Sequence, residues 1–223
     1  MVLTGAVLYL LEWVAIVAAH LGVPLGAGAG ATTVVQGYTG HVEAFGWAAG
    51  WFSVVEMGRL LVVVGLAAAL RRSARDNALM GVAVAAMAVS CALEIAAYAV
   101  AASVAWTVPL GSVATDRALD AVSYDLSLMV WGPFGVSLLC AGLAMARTRL
   151  FGRILPVLAL LTGALASAIG LAFTRPSGHG AVGALGAAAV VFWVWMIWTG
   201  IVVWRARREK SASSASENSP VGV

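Results

Sequence analysis

Six apolar stretches, at roughly 4–23, 46–70, 78–106, 119–146, 154–174 and 181–204, leave this chain few ways to fold. A helix needs about 20 predominantly apolar residues to cross a bilayer. The third and fourth stretches are long enough to tilt or to project beyond the membrane. Only 10% of the residues are charged, whereas a soluble domain carries about 25%. A chain this poor in charge cannot cover its surface in water. The expected fold is therefore an all-α, polytopic membrane protein, a six-transmembrane-helix bundle. The opening MVLTGAVLYLLEWV has no basic leader region and carries Glu12 within its apolar run. It is expected to stay as a helix and not to be removed.

Orientation follows from the basic residues. Arg71, Arg72 and Arg75 follow the second stretch, and Arg147, Arg149 and Arg153 separate the fourth from the fifth. Arg205, Arg207, Arg208 and Lys210 follow the sixth. Six alternating spans put all ten on one side and leave Arg117 and Arg175 on the other. Both termini are thus expected inside, N-in/C-in. Residues 1–204 form one transmembrane domain, and 205–223 a basic and then disordered cytoplasmic tail, because KSASSASENSPVGV is Ser-rich and has no apolar period. The outer loop at about 24–45 is long and Gly-rich. It suits a lid or a flexible connector equally.

The informative residues are ionisable groups inside the spans: Glu12, Glu56, Arg59, Glu94 and Asp125, with Asp120 at the outer mouth of the fourth span. Each costs about 2.5–3.5 kcal/mol on insertion scales, so such groups face the bundle interior and mark function. Glu56 and Arg59 are i, i+3 and share a face. Glu94 and Tyr98 are i, i+4, Asp120, Tyr124 and Trp131 follow one face of the fourth span, and Trp195 and Trp198 are i, i+3 in the sixth. Gly132-Pro133 is expected to kink the fourth span and free a carbonyl one turn earlier. Four acids, Glu12, Glu56, Glu94 and Asp125, face one base. Arg59 is expected to pair with Glu56, leaving one or two of the others protonated at neutral pH. A neutral carboxylic acid in an apolar pocket can donate a proton, and aromatic faces stabilise cations. The plainer reading makes these acids hydrogen-bond glue between helices.

Other chemistries lack their residues. Lys210 is the sole lysine and lies in the tail, which excludes a retinal Schiff base. Cys91 and Cys140 form no C-x-x-C pair and read as small buried hydrophobes. His20, His41 and His179 fall at or beyond the outer surface, and no H-E-x-x-H occurs. Asp116, Asp120 and Asp125 are spaced like diphosphate-holding acids but lie at the outer mouth with no partner motif. No metal, no cofactor and no nucleic-acid partner is expected.

The layout, with Arg149-Leu-Phe-Gly-Arg153 before a Pro-containing apolar helix, resembles a broad class of small actinobacterial membrane proteins. Glu12-Trp13, Glu56, Glu94 and Tyr124-Asp125 resemble, by type and depth, the acids of small membrane-bound terpene cyclases. These include the fungal meroterpenoid and the actinomycete drimentine-type enzymes. The resemblance implies a compact helical bundle in which intramembrane acids protonate an isoprenoid. The fungal enzymes are expected to have seven helices, against six here.

The resulting expectation is a metal-independent, proton-initiated cyclase or isomerase in a bacterial cytoplasmic membrane, acting on a lipophilic isoprenoid substrate that enters from the lipid. Glu56 is expected to be the base and Glu94 or Asp125 the acid. Trp13, Phe52, Tyr98, Tyr124, Trp131, Trp195 and Trp198 are expected to wall the substrate. The rivals are a proton-coupled transporter of a small solute and a non-catalytic accessory membrane protein.

Overall fold

The computed structural model describes residues 1–19, 28–70, 74–172 and 182–217. His20, Arg71, Arg72, Arg175 and His179 lie outside the described residues, as do the ends of the first and fifth expected spans, the start of the long outer loop and the last six residues of the tail. Among the described residues there is no strand. The helices are α1 (Val2–Leu10), α2 (Glu12–Ala19), α3 (Ala31–Tyr38), α4 (Val42–Val55), α5 (Met57–Ala69), α6 (Ala74–Thr107), α7 (Val113–Met129), α8 (Trp131–Ala146), α9 (Ile154–Ala172) and α10 (Val182–Glu217).

Among the described residues five helical rods are long and apolar enough to cross a membrane: Val42–Ala69, Asn77–Leu110, Val113–Ala146, Ile154–Ala172 and Ala188–Glu209. In the first segment α1 and α2 cover Val2–Ala19 with a break at Leu11, and its shorter apolar stretch is Val2–Val14. The outer loop is also more ordered than its glycines suggest. It contains α3, and Val42–Phe45 already belong to α4. The Ser-rich tail from Lys210 is expected to be disordered, whereas α10 continues to Glu217. The segment RARREKSASSASE contains no Gly or Pro and is rich in Ala, Arg, Lys and Glu, so nothing breaks the helix there.

Small residues set the close helix crossings. Gly5 on α1 lies against Gly58 on α5, where an added Cβ would come 2.6 Å from the Gly58 carbonyl oxygen. Gly135 on α8 and Gly163 on α9 meet in the same way, each facing the other's carbonyl. Without a hydrophobic force between helices in lipid, such backbone approach supplies the packing. Buried serines tie α6 antiparallel to α7 and α8. Ser123 donates to the Ala97 carbonyl (2.8 Å), Ser90 to Val130 (3.2 Å) and Ser137 to Ala83 (2.7 Å). Val2 lies against Gly65, and Leu3 against Gly200. The chain start, the end of α5 and the Trp204–Arg208 stretch therefore share one end of the bundle. Because Ser137 sits beside Ala83 near the start of α6, the Arg147–Arg153 loop comes to that end too.

Three rods are interrupted, at Leu11, Glu56 and Val130. At the first two, the N–H groups of Val14 and Arg59 bond three residues back, at 3.2 Å each. At the third, Pro133 offers no N–H, as the sequence leads one to expect. The carbonyl at each break accepts a main-chain N–H and, in addition, a side chain from a neighbouring helix. The Trp51 indole donates to Leu11 (2.9 Å), the Cys91 thiol to Glu56 (3.3 Å) and the Ser90 hydroxyl to Val130 (3.2 Å). Irregular backbone at membrane depth persists where neighbours satisfy it in this way.

Candidate functional site

The breaks surround a cluster of charge. Glu12 opens α2 immediately after the first break, Glu56 is the second break, and Arg59 lies one turn further along α5. Glu94 comes from the unbroken α6. The Arg59 guanidinium pairs with both Glu56 and Glu94 through one nitrogen. Glu56 is fully buried, Arg59 and Glu12 nearly so, and Glu94 is 18% exposed. One carboxylate oxygen from each of Glu12, Glu56 and Glu94 lies within 4.8 Å of the others. Three such oxygens could converge on a cation, but the Arg59 guanidinium already bridges two of them.

Pairing of Arg59 with Glu56 matches expectation, and Glu94 joins as a second partner that spacing alone could not show. Asp125 is a correction. It was expected in the shared interior, but it is exposed on α7 and outside the cluster. The reason is geometric, since Asp125 sits one residue, about 100° of helix, beyond the face of Asp120 and Tyr124. The cluster around Arg59 thus holds three acids against one base, and Glu12 is the acid outside the ion pair. The Tyr98 hydroxyl approaches Glu12 at 3.4 Å.

Glu12, Arg59 and Glu94 form the polar side of a cavity of about 350 Å³. Its remaining wall is aromatic, from Tyr9, Trp13, Tyr98, Trp131, Phe134, Phe192 and Trp193. Arg59 lies over the Tyr9 ring at 5.2 Å and the Phe134 ring at 5.9 Å. Trp13 packs edge-on against Trp193 at 5.1 Å and is 41% exposed, so this pair forms the outer edge of the cavity between α2 and α10.

Of the residues expected to wall a substrate, Trp13, Tyr98 and Trp131 line this cavity and Phe52, Tyr124, Trp195 and Trp198 lie outside it. Phe52 is buried behind Tyr98, stacked on it at 3.6 Å. Trp195 is buried on another face of α10, where its indole donates to the Leu155 carbonyl (3.1 Å). Trp198 is 40% exposed on the outside, and Tyr124 is not part of the lining. Tyr9, Phe134, Phe192 and Trp193 escaped the sequence reading. Tyr9 carried a signal, since it stands three residues before Glu12 on the same face. In α10 the series Ala189, Phe192, Trp193, Met196 is as regular as the Trp195–Trp198 pair. A helix apolar all round does not reveal which side faces inward.

Asp116 and Asp120 do structural work near the end of the bundle where α3 packs. The Thr107 hydroxyl donates to Asp116 (2.6 Å), and the Tyr38 hydroxyl on α3 donates to Asp120 (2.7 Å). Burial, with Asp120 beside it, raises the Tyr38 hydroxyl above the ordinary phenol range, so it remains a donor. His41 is exposed before α4 and makes no side-chain cap there. No family model, curated protein or solved structure matches the chain, so the cavity and its charged floor stand on their own geometry.

Proposed function

We propose that this protein is a membrane-bound, metal-independent cyclase or isomerase that protonates a lipophilic, isoprenoid-bearing substrate. The observation that carries the reading is the juxtaposition of Glu12 and Glu94 with an aromatic cavity of about 350 Å³. That volume lies within the roughly 300–1,000 Å³ of small-molecule sites. An apolar alkene suits the walls, and developing positive charge suits the faces of the Tyr and Trp rings.

In this reading Glu12 gives its proton to a terminal alkene, forming a C–H bond and leaving a cation at the substituted carbon. An internal alkene attacks that cation and closes a ring. Glu94 then takes a proton from the carbon next to the final cation, which makes the product alkene. Glu94 then gives that proton up to water while Glu12 takes one from it, so the sum is an isomerisation with no co-reactant. Arg59 pairs with Glu56 and Glu94, so this reading gives the base role to Glu94 and the acid role to Glu12, the acid of the cluster outside the ion pair.

The same reading counts α1 and α2 together as a sixth crossing. Their 18 residues span about 27 Å at 1.5 Å per residue, close to the roughly 30 Å hydrocarbon core. The basic end of the bundle then faces the cytoplasm, in keeping with a bacterial cytoplasmic membrane.

Co-expression with a pathway that supplies prenylated substrates tests the proposal. The wild type should yield a cyclised product that Glu12→Gln and Glu94→Gln do not, and identical metabolites from all three would sink it. The three helix breaks around the acids favour a second reading, proton-coupled transport, since broken helices line transporter sites. A transporter would move solute only between compartments and convert nothing in detergent.

A further inference from the structure

We propose that the groove between α1 and α10 binds an anionic phospholipid, with the phosphate on Arg207 and one acyl chain lying along α1. This site is separate from the acid cluster and does not depend on the reading given to it. The groove encloses about 570 Å³ and is walled by Leu3, Val7 and Leu11 of α1 with Val203 and Trp204 of α10. Gly200 lies at its floor, against the backbone of Leu3. Val7 is 56% exposed and Leu3 36%, so the apolar wall is open.

Three features select the occupant. The first is length. From Met1 to Leu11 the groove runs along about 15 Å of helix, half of the roughly 30 Å hydrocarbon core, which matches one chain of one leaflet. The second is charge. Arg207 closes the groove at the basic end of the bundle, with Arg205 and Arg208 on the same exposed turn. A guanidinium binds phosphate oxygens with two parallel hydrogen bonds, and basic pockets between membrane helices suit anionic head groups. The third is the anchor. Trp204 stands at the mouth with the Arg208 guanidinium over its ring at 4.1 Å, and an indole at this level sits in the head-group region.

The test is native mass spectrometry of the full-length protein in detergent, titrated separately with dioleoyl phosphatidylglycerol and dioleoyl phosphatidylcholine. Phosphatidylglycerol should bind at least tenfold more tightly. Arg207→Gln should erase that preference while leaving phosphatidylcholine binding unchanged. Val7→Trp, which fills the groove from an exposed position, should weaken both lipids. Glu12→Gln, in the acid cluster, should leave the preference intact. Equal binding of the two lipids by the wild type would overturn the proposal. So would a preference that survives Arg207→Gln, or a Val7→Trp variant that binds both lipids as the wild type does.

Discussion

The Arg59 guanidinium on α5 bonds the Glu94 carboxylate on α6 while also pairing with Glu56 one turn behind it. One base thus ties two helices together and pairs with two of the cluster's three acids. Arg59→Met should leave those acids without their cation. Breaking a buried pair from one side costs about 3–5 kcal/mol, so thermal unfolding in detergent should show a large loss. Adding Glu56→Gln and Glu94→Gln to the same variant should restore most of it, because the buried charge is then gone. A triple variant no more stable than Arg59→Met would contradict this account of the cluster.

Glu12 is the acid that Arg59 does not pair with. Infrared spectra at pH 7 should contain a protonated carboxyl band in the wild type. Glu12→Gln should remove it, and Asp125→Asn, at an exposed position, should not.

The crossing of α1 and α5 depends on Gly58. A Cβ there would come within 2.5 Å of the Tyr9 backbone nitrogen, and backbone cannot yield as a side chain can. Gly58→Leu should therefore cost more than the ~1–3 kcal/mol of ordinary overpacking and abolish the fold. Gly81 on α6 has nothing within 4 Å of a Cβ. Gly81→Ala should leave stability unchanged or raise it by up to about 1 kcal/mol, the helix-propensity difference.

Tyr38 fastens α3 to α7 through Asp120. Tyr38→Phe should cost about 1.5 kcal/mol, the scale of a hydrogen bond to a charged group. Hydrogen exchange should quicken selectively in Ala31–Tyr38. Because burial raises the folded-state value of this phenol, the contribution is fully present below the unfolded value of about 10. It is lost only as pH rises through the higher folded-state value.

Helix positions were legible because lipid demands long apolar runs, and α9 and α6 fall close to their expected limits. The depth of Glu12, Glu56, Arg59 and Glu94 was legible for the same reason, since charge stands out against an apolar background. What the chain did not disclose is angular. Trp198 lies in an apolar rod where no polar stripe marks the outside, and on α7 polar residues occur on both the buried and the exposed face. Glu94 reaches Arg59 across a distance that only the packing of α5 on α6 sets. Nor does Leu11 announce a helix break, because that break depends on Trp51, forty residues away, donating to its carbonyl.

The most direct test of the proposed chemistry is conversion of a farnesyl-bearing substrate by the purified protein in detergent made up in D₂O. A proton delivered from Glu12 exchanges with solvent between turnovers. The cyclised product should therefore carry one deuterium at the carbon that was the alkene terminus, and Glu12→Gln should form none of it. Unchanged substrate, or a cyclised product without deuterium, would contradict the account.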